Sequence, residues 1–99
     1  MTSTLPLENK VAVITGASRG IGRAIAEVLA QHGADVVCGD RLQQQAEETA
    51  ANIAKATGRH TSCCLVDVAD HESTKGFIEC ALENFGKVDI LVNNAGITR

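Results

Sequence analysis

Four short apolar runs alternate with three stretches of helical periodicity, and this alternation limits the possible folds more than any other feature of the chain. Residues 10–15 (KVAVIT) have the length and side-chain character of a strand buried on both faces, and 35–39 (with Val36 and Val37), 60–66 and 88–92 read as three further short strands. Between them, apolar residues recur at the spacing of one helix face: Ile21, Ala24, Ile25, Val28 and Leu29, then Leu42, Ala46, Ala50, Ile53 and Ala54, then Phe77, Ile78, Ala81, Leu82 and Phe85. Gly33, Gly58 and Gly86 follow the three last turns, where a left-handed residue can close a helix, and Asp70 is suited to cap the third at its start.

Strands joined by helices, with no room for hairpins, must run parallel, and right-handed crossovers distribute the helices over both faces of one sheet. The expected architecture is α/β: the first half of a doubly wound parallel sheet of the Rossmann type, β-α-β-α-β-α-β, with strand order 3-2-1-4. A chain of 99 residues builds one core at most. With 2% aromatic residues against 44% apolar ones, that core must come from Ala, Val, Ile and Leu. The final run, V-D-I-L-V, would form a bare apolar edge, which natural domains avoid. The 99 residues are therefore expected to be an incomplete dinucleotide-binding domain, truncated after the fourth strand.

Composition also excludes functions. The absence of Tyr removes any mechanism that needs a phenol from this chain. A net charge of −3 leaves no basic surplus to neutralise a run of phosphates, so a nucleic-acid partner is not expected. No apolar run approaches the roughly 20 residues of a membrane helix, and the first nine residues lack the apolar segment of a secretory signal. Cys38, Cys63, Cys64 and Cys80 show no CxxC spacing and, with three scattered histidines, make a poor metal set. They are read as buried small apolar residues in a reducing compartment, the cytoplasm.

The chemistry gathers where the first strand meets the first helix. Thr15-Gly16-Ala17-Ser18-Arg19-Gly20-Ile21-Gly22 places glycines where a tight turn must bring backbone close to a ligand. A helix start offers unpaired N–H donors and a partial positive charge, together a seat for a pyrophosphate. A tight turn without a ligand is the plainer alternative. Asp40 ends the second strand, where a carboxylate can accept from both hydroxyls of an adenosine ribose and repel the 2′-phosphate of NADP. The alternative is a solvated Asp opening a loop. His32, His60 and His71 read as surface or capping residues, and residues 43–45 with Glu47 and Glu48 as a solvated helix face.

The spacing G-x-x-x-G-x-G, Asp67-Val68 after the third strand and Asn93-Asn94-Ala95-Gly96 after the fourth resemble the short-chain dehydrogenases/reductases across nearly the whole chain. Gly22 followed by Arg23-Ala24-Ile25-Ala26, and the stretch L-V-N-N-A-G-I-T-R, look most like the bacterial-type 3-oxoacyl-[acyl-carrier-protein] reductases. The resemblance implies hydride exchange between a nicotinamide and a carbonyl or alcohol. It makes Gly16, Ser18, Arg19, Gly20, Ile21 and Gly22 the pyrophosphate turn and puts Asp67 and Val68 beside the adenine. Asn94, Ala95 and Gly96 would lie beneath ribose and pyrophosphate, while Asn93 ties neighbouring strands. Arg19 and Arg41 stand where relatives that take NADP place positive charge, but their long side chains can swing into solvent whereas Asp40 is short and fixed at the strand end, so NAD is the expected cofactor and NADP the runner-up. The family's catalytic Asn, Ser and Tyr-x-x-x-Lys set matches nothing here, so no catalytic residue is assigned and the 99 residues alone are expected to be inactive.

The expected substrate of the longer parent, a homo-oligomer by the same resemblance, is a small-molecule or acyl-carrier-bound carbonyl. Sugar alcohols, steroids and small ketones stay open. A non-catalytic dinucleotide-binding module, or a scaffold with a decayed site, are the readings from other classes.

Overall fold

The computed structural model describes residues 5–18, 20–67 and 70–94. Its elements run β1 (Val11–Thr15), α1 (Gly20–Gln31), β2 (Asp35–Asp40), α2 (Gln43–Thr57), β3 (Thr61–Leu65), α3 (His71–Phe85) and β4 (Ile90–Asn93). All pairings are parallel and the order is β3-β2-β1-β4, as the alternation of runs requires. Val11 lies opposite Asp35, and Ala12 lies between Val36 and Ile90. The fourth strand starts later than the apolar run because Asp89 serves as its anchor. The Asp89 carboxylate accepts from the Val11 amide at 2.8 Å, and the Asp89 amide donates to the Val11 carbonyl at 2.9 Å.

The two faces of the sheet carry different cores. Ala12, Ile14, Val36 and Cys38 face α1 and α2, where Ala26, Ala30, Ala50 and Ile53 meet them. Val11, Val13, Val37 and Cys64 face α3 through Phe77 and Ala81. Gly39 makes room for the Phe77 ring, since a Cβ there would lie 2.4 Å from it. Gly58 and Gly86 close α2 and α3 in the left-handed region, and the Asp70 carboxylate caps α3 by accepting from the Glu72 amide at 3.0 Å.

Helix α1 departs from the expected stripe. The residues it buries are Gly22, Ala26 and Ala30, while Ile21 and Val28 are exposed and Ile25 and Leu29 only flank the core. Small residues at this spacing let the helix axis come close to β1, and the large apolar side chains turn outward into a groove lined by Ile21, Ala24, Ile25, Val28 and Leu29. Leu42 and Leu82, expected in buried stripes, are exposed as well, and so is Leu91 of β4.

The cysteine reading also needs correction. Cys38 is a buried thiol, pushed up to about 12 by burial and by its strand neighbour Cys63, as expected of an inert core residue. Cys64 and Cys80, however, are joined in a disulfide that fastens α3 to β3. Adjacent in sequence, Cys63 and Cys64 point to opposite faces of the sheet, and only the packing of α3 brings Cys80 to one of them. Closing a loop of 16 residues restricts the unfolded chain by about 3 kcal/mol. Urea unfolding with and without a dithiol reductant is expected to differ by about that amount, and Cys64→Ser should reproduce the reduced value. Among the described residues, no helix is long and apolar enough to cross a membrane.

Candidate coenzyme-binding site

The carboxyl ends of the four strands share one edge of the sheet. There the first crossover, β1 to β2, runs one way from β1, and the strand on its other side, β4, is reached from β3. Such a point of reversal leaves a crevice between diverging connections. The glycine turn occupies it. Gly16 at φ 65° and Gly20 at φ 62° take left-handed conformations that side chains adopt only under strain, which reverses the chain within a few residues. The Ala17 amide donates to the Gly39 carbonyl at 3.1 Å, tying the turn to β2. The Asn94 side-chain amide donates to the Gly16 carbonyl at 3.3 Å, tying it to the end of β4.

Two glycines of the turn have opposite surroundings. A Cβ on Gly22 would lie 2.0 Å from the Gly16 oxygen, so the head of α1 is pressed against the turn. Among the described residues, a Cβ on Gly20 would meet nothing within 4 Å, so they leave the space over the helix start open. The first amides of a helix have no acceptor within it and carry its partial positive charge. A pyrophosphate therefore fits this cradle, with the backbone at Gly20 and the exposed Ile21 beside it.

Asp40, at the end of β2, is fixed from both sides. Its Oδ2 accepts from the Ser18 hydroxyl at 2.5 Å and from the Ser18 amide at 3.3 Å, while Oδ1 accepts from the Leu42 amide at 3.1 Å. Burial pushes the carboxyl up, but the Ser18 hydroxyl and the Leu42, Ser18 and Arg41 amides all donate to the charged form and hold it below the ordinary aspartate value. A carboxyl lowered in this way stabilises the fold above its unfolded pKa, and the contribution is lost as the pH falls through the lower, folded pKa. Urea stability measured from neutral pH into acid should therefore fall less steeply for Asp40→Asn than for the unaltered chain, with the difference confined to the acid end.

Sequence reasoning overlooked one participant. Thr49, on α2 and 1% exposed, donates its hydroxyl to the Ser18 carbonyl at 3.2 Å. Its only sequence signal is a polar residue one position before Ala50 in the α2 stripe.

The remaining corners adjoin this one. The Val66 amide donates to the Asp40 carbonyl at 3.1 Å, which sets Asp67 beside the end of β2. The Asp67 amide donates to the Ser73 hydroxyl at 2.8 Å, and its carbonyl accepts from Asp70. Thr15 donates to the Asn93 side-chain oxygen at 3.2 Å, so Asn93 does join β1 and β4. Arg41 is exposed next to Asp40. The structure thus brings together Gly16, Ser18, Gly20, Ile21, Gly22, Asp40, Arg41, Asp67 and Asn94 along one edge, while Arg19, Val68, Ala95 and Gly96 lie outside the described residues.

A sequence model of the short chain dehydrogenase family matches residues 10–99. The chain belongs to that family. An uncharacterized oxidoreductase of Bacillus subtilis is 50% identical over 91 residues, which cover 92% of this chain and 33% of the relative. A 3-oxoacyl-[acyl-carrier-protein] reductase of Salmonella typhimurium is 45% identical over 95 residues, covering 96% of this chain and 37% of the reductase. Among solved structures, the L-sorbose reductase of Gluconobacter frateurii complexed with NADPH and L-sorbose superposes with a TM-score of 0.85 at 42% identity, covering 89% of this chain and 34% of that one. The chain spans about a third of the length of these relatives.

Proposed function

We propose that this short chain dehydrogenase chain is the first part of a dinucleotide-binding domain that seats NAD in an enzyme exchanging hydride between nicotinamide and a carbonyl or alcohol. The observation that carries the reading is the open head of α1 over Gly20 beside the ionised Asp40 at the neighbouring strand end. Gly16, Gly20, Ile21 and Gly22 present backbone to the pyrophosphate, with Arg19 alongside. Asp40 accepts from the adenosine ribose hydroxyls, and Asp67 and Val68 flank the adenine. Asn94, Ala95 and Gly96 lie beneath the ribose and pyrophosphate. Bound NAD would supply the hydride-accepting nicotinamide.

The chain contains no Tyr, so no phenol among these 99 residues can handle the proton that accompanies hydride transfer. A 3-oxoacyl thioester on a carrier protein is the substrate favoured by the likeness to the Salmonella reductase, and a homo-oligomer is the working form that the family resemblance implies. The cytoplasm remains the proposed compartment.

NADP is the second reading, supported by Arg41 at the end of β2 and by the NADPH complex of the sorbose reductase. In the longer parent protein, oxidation of NADH and of NADPH in the presence of a 3-oxoacyl thioester tests substrate and coenzyme together. Faster turnover with NADH is expected. Binding of NAD by that parent without any carbonyl-dependent oxidation would instead identify a non-catalytic module.

A further inference from the structure

The buried polar side chains among the described residues are Thr15, Ser18 and Thr49. Thr15 belongs to the β1–β4 seam, whereas Ser18 and Thr49 bond to each other from different elements. Thr49 shares its helix face with Ala46, Ala50 and Ile53, where valine would fill the same volume without a hydroxyl to desolvate. Another threonine of α2 shows the ordinary use of such a group: the Thr57 hydroxyl donates back to the Ile53 carbonyl of its own helix at 2.7 Å. The Thr49 hydroxyl instead leaves the helix and reaches the Ser18 carbonyl in the glycine turn.

That contact has a consequence two residues away in space. Ser18 holds Asp40 Oδ2 through both its amide and its hydroxyl, so the orientation of the carboxylate follows the placement of residue 18. Because α2 follows β2 directly, the bond from Thr49 closes a ring: β2 end, α2, glycine turn and back to the β2 end. We infer that Thr49 is a positioning residue for coenzyme selectivity, pinning Ser18 so that the Asp40 carboxylate is aimed at the adenosine ribose. Thr49 itself touches no coenzyme. The inference rests on the proposed reading of Asp40 as the group that separates NAD from NADP.

Without the hydroxyl, the Ser18 carbonyl loses a buried donor and residue 18 shifts toward another partner. The Asp40 carboxylate then loses its fixed direction, which weakens acceptance from the ribose of NAD and relaxes exclusion of the 2′-phosphate of NADP. Calorimetric titration of the protein with NAD and with NADP tests this. Thr49→Val is expected to lower the NAD-over-NADP affinity ratio about tenfold, the size of one lost hydrogen bond to a charged group. Thr49→Ser, which keeps the hydroxyl, is expected to stay within about twofold of the unaltered ratio. If Thr49→Val does not fold, Thr49→Ala, which leaves room for water at the Ser18 carbonyl, is read in the same direction. Equal weakening of both coenzymes would assign Thr49 a structural role and overturn the inference alone. Binding of neither coenzyme by the unaltered protein would overturn the reading of the site and this inference together.

Discussion

Gly22→Ala is expected to destabilise the chain by about 3 kcal/mol, at the upper end of the usual range for overpacking. The added methyl would sit 2.0 Å from the Gly16 oxygen, 2.6 Å from the Asn94 side-chain nitrogen and 2.8 Å from the Gly16 carbonyl carbon. Two of those three neighbours are backbone, and the turn they belong to is tied to β2 through Ala17 and to β4 through Asn94. The helix must therefore lift, and in lifting it opens the seam in which Ala26 and Ala30 pack against the sheet. Coenzyme affinity is expected to fall more than tenfold in the same variant, because the amides of the helix start move with it.

Gly20→Ala is the informative control. Its methyl would meet nothing, so only the left-handed conformation at φ 62° is penalised, by about 1 kcal/mol. Urea midpoints for the two variants measure the contrast directly. A Gly22→Ala chain as stable as the unaltered one would mean that α1 does not press on the turn.

Asp40→Ala is expected to move the NADP-over-NAD affinity ratio about a hundredfold toward NADP. A carboxylate and a phosphate charge about 4 Å apart repel by roughly 4 kcal/mol at an effective dielectric of about 20, and screening at the partly open strand end reduces this. The bonds from Ser18 and Leu42 keep the carboxyl ionised, so the repulsion operates throughout the neutral range. Removing it leaves Arg41, the exposed chain neighbour of Asp40, to attract the 2′-phosphate. Asp40→Asn should shift the ratio in the same direction while keeping the side chain's size. Equilibrium binding of both coenzymes gives the ratio, and a value unchanged from the unaltered protein would remove Asp40 from coenzyme selection.

Periodicity located the strands and helices to within about two residues because both depend on local patterns that short stretches of chain display. It failed on which side of α1 faces the sheet. Ile21, Ala24 and Val28 recur at the same helical period as Gly22, Ala26 and Ala30, so apolar content alone points to the larger residues. The close approach enforced at Gly22 reserves the buried side for the smallest ones. Leu42 failed for another reason: it precedes the first turn of α2, outside the repeating face of the helix.

The glycine turn, the acid at the end of the second strand and the parallel order 3-2-1-4 could be read from residue order, since chirality and chain connectivity leave few other arrangements for such a pattern. The bond from Thr49 to Ser18, the hold of Ser18 on Asp40 and the joining of Cys64 to Cys80 could not. Each depends on how closely two elements distant in sequence approach and on which way one side chain turns. Those distances are set by packing of the assembled layers, and no local pattern of residues records them.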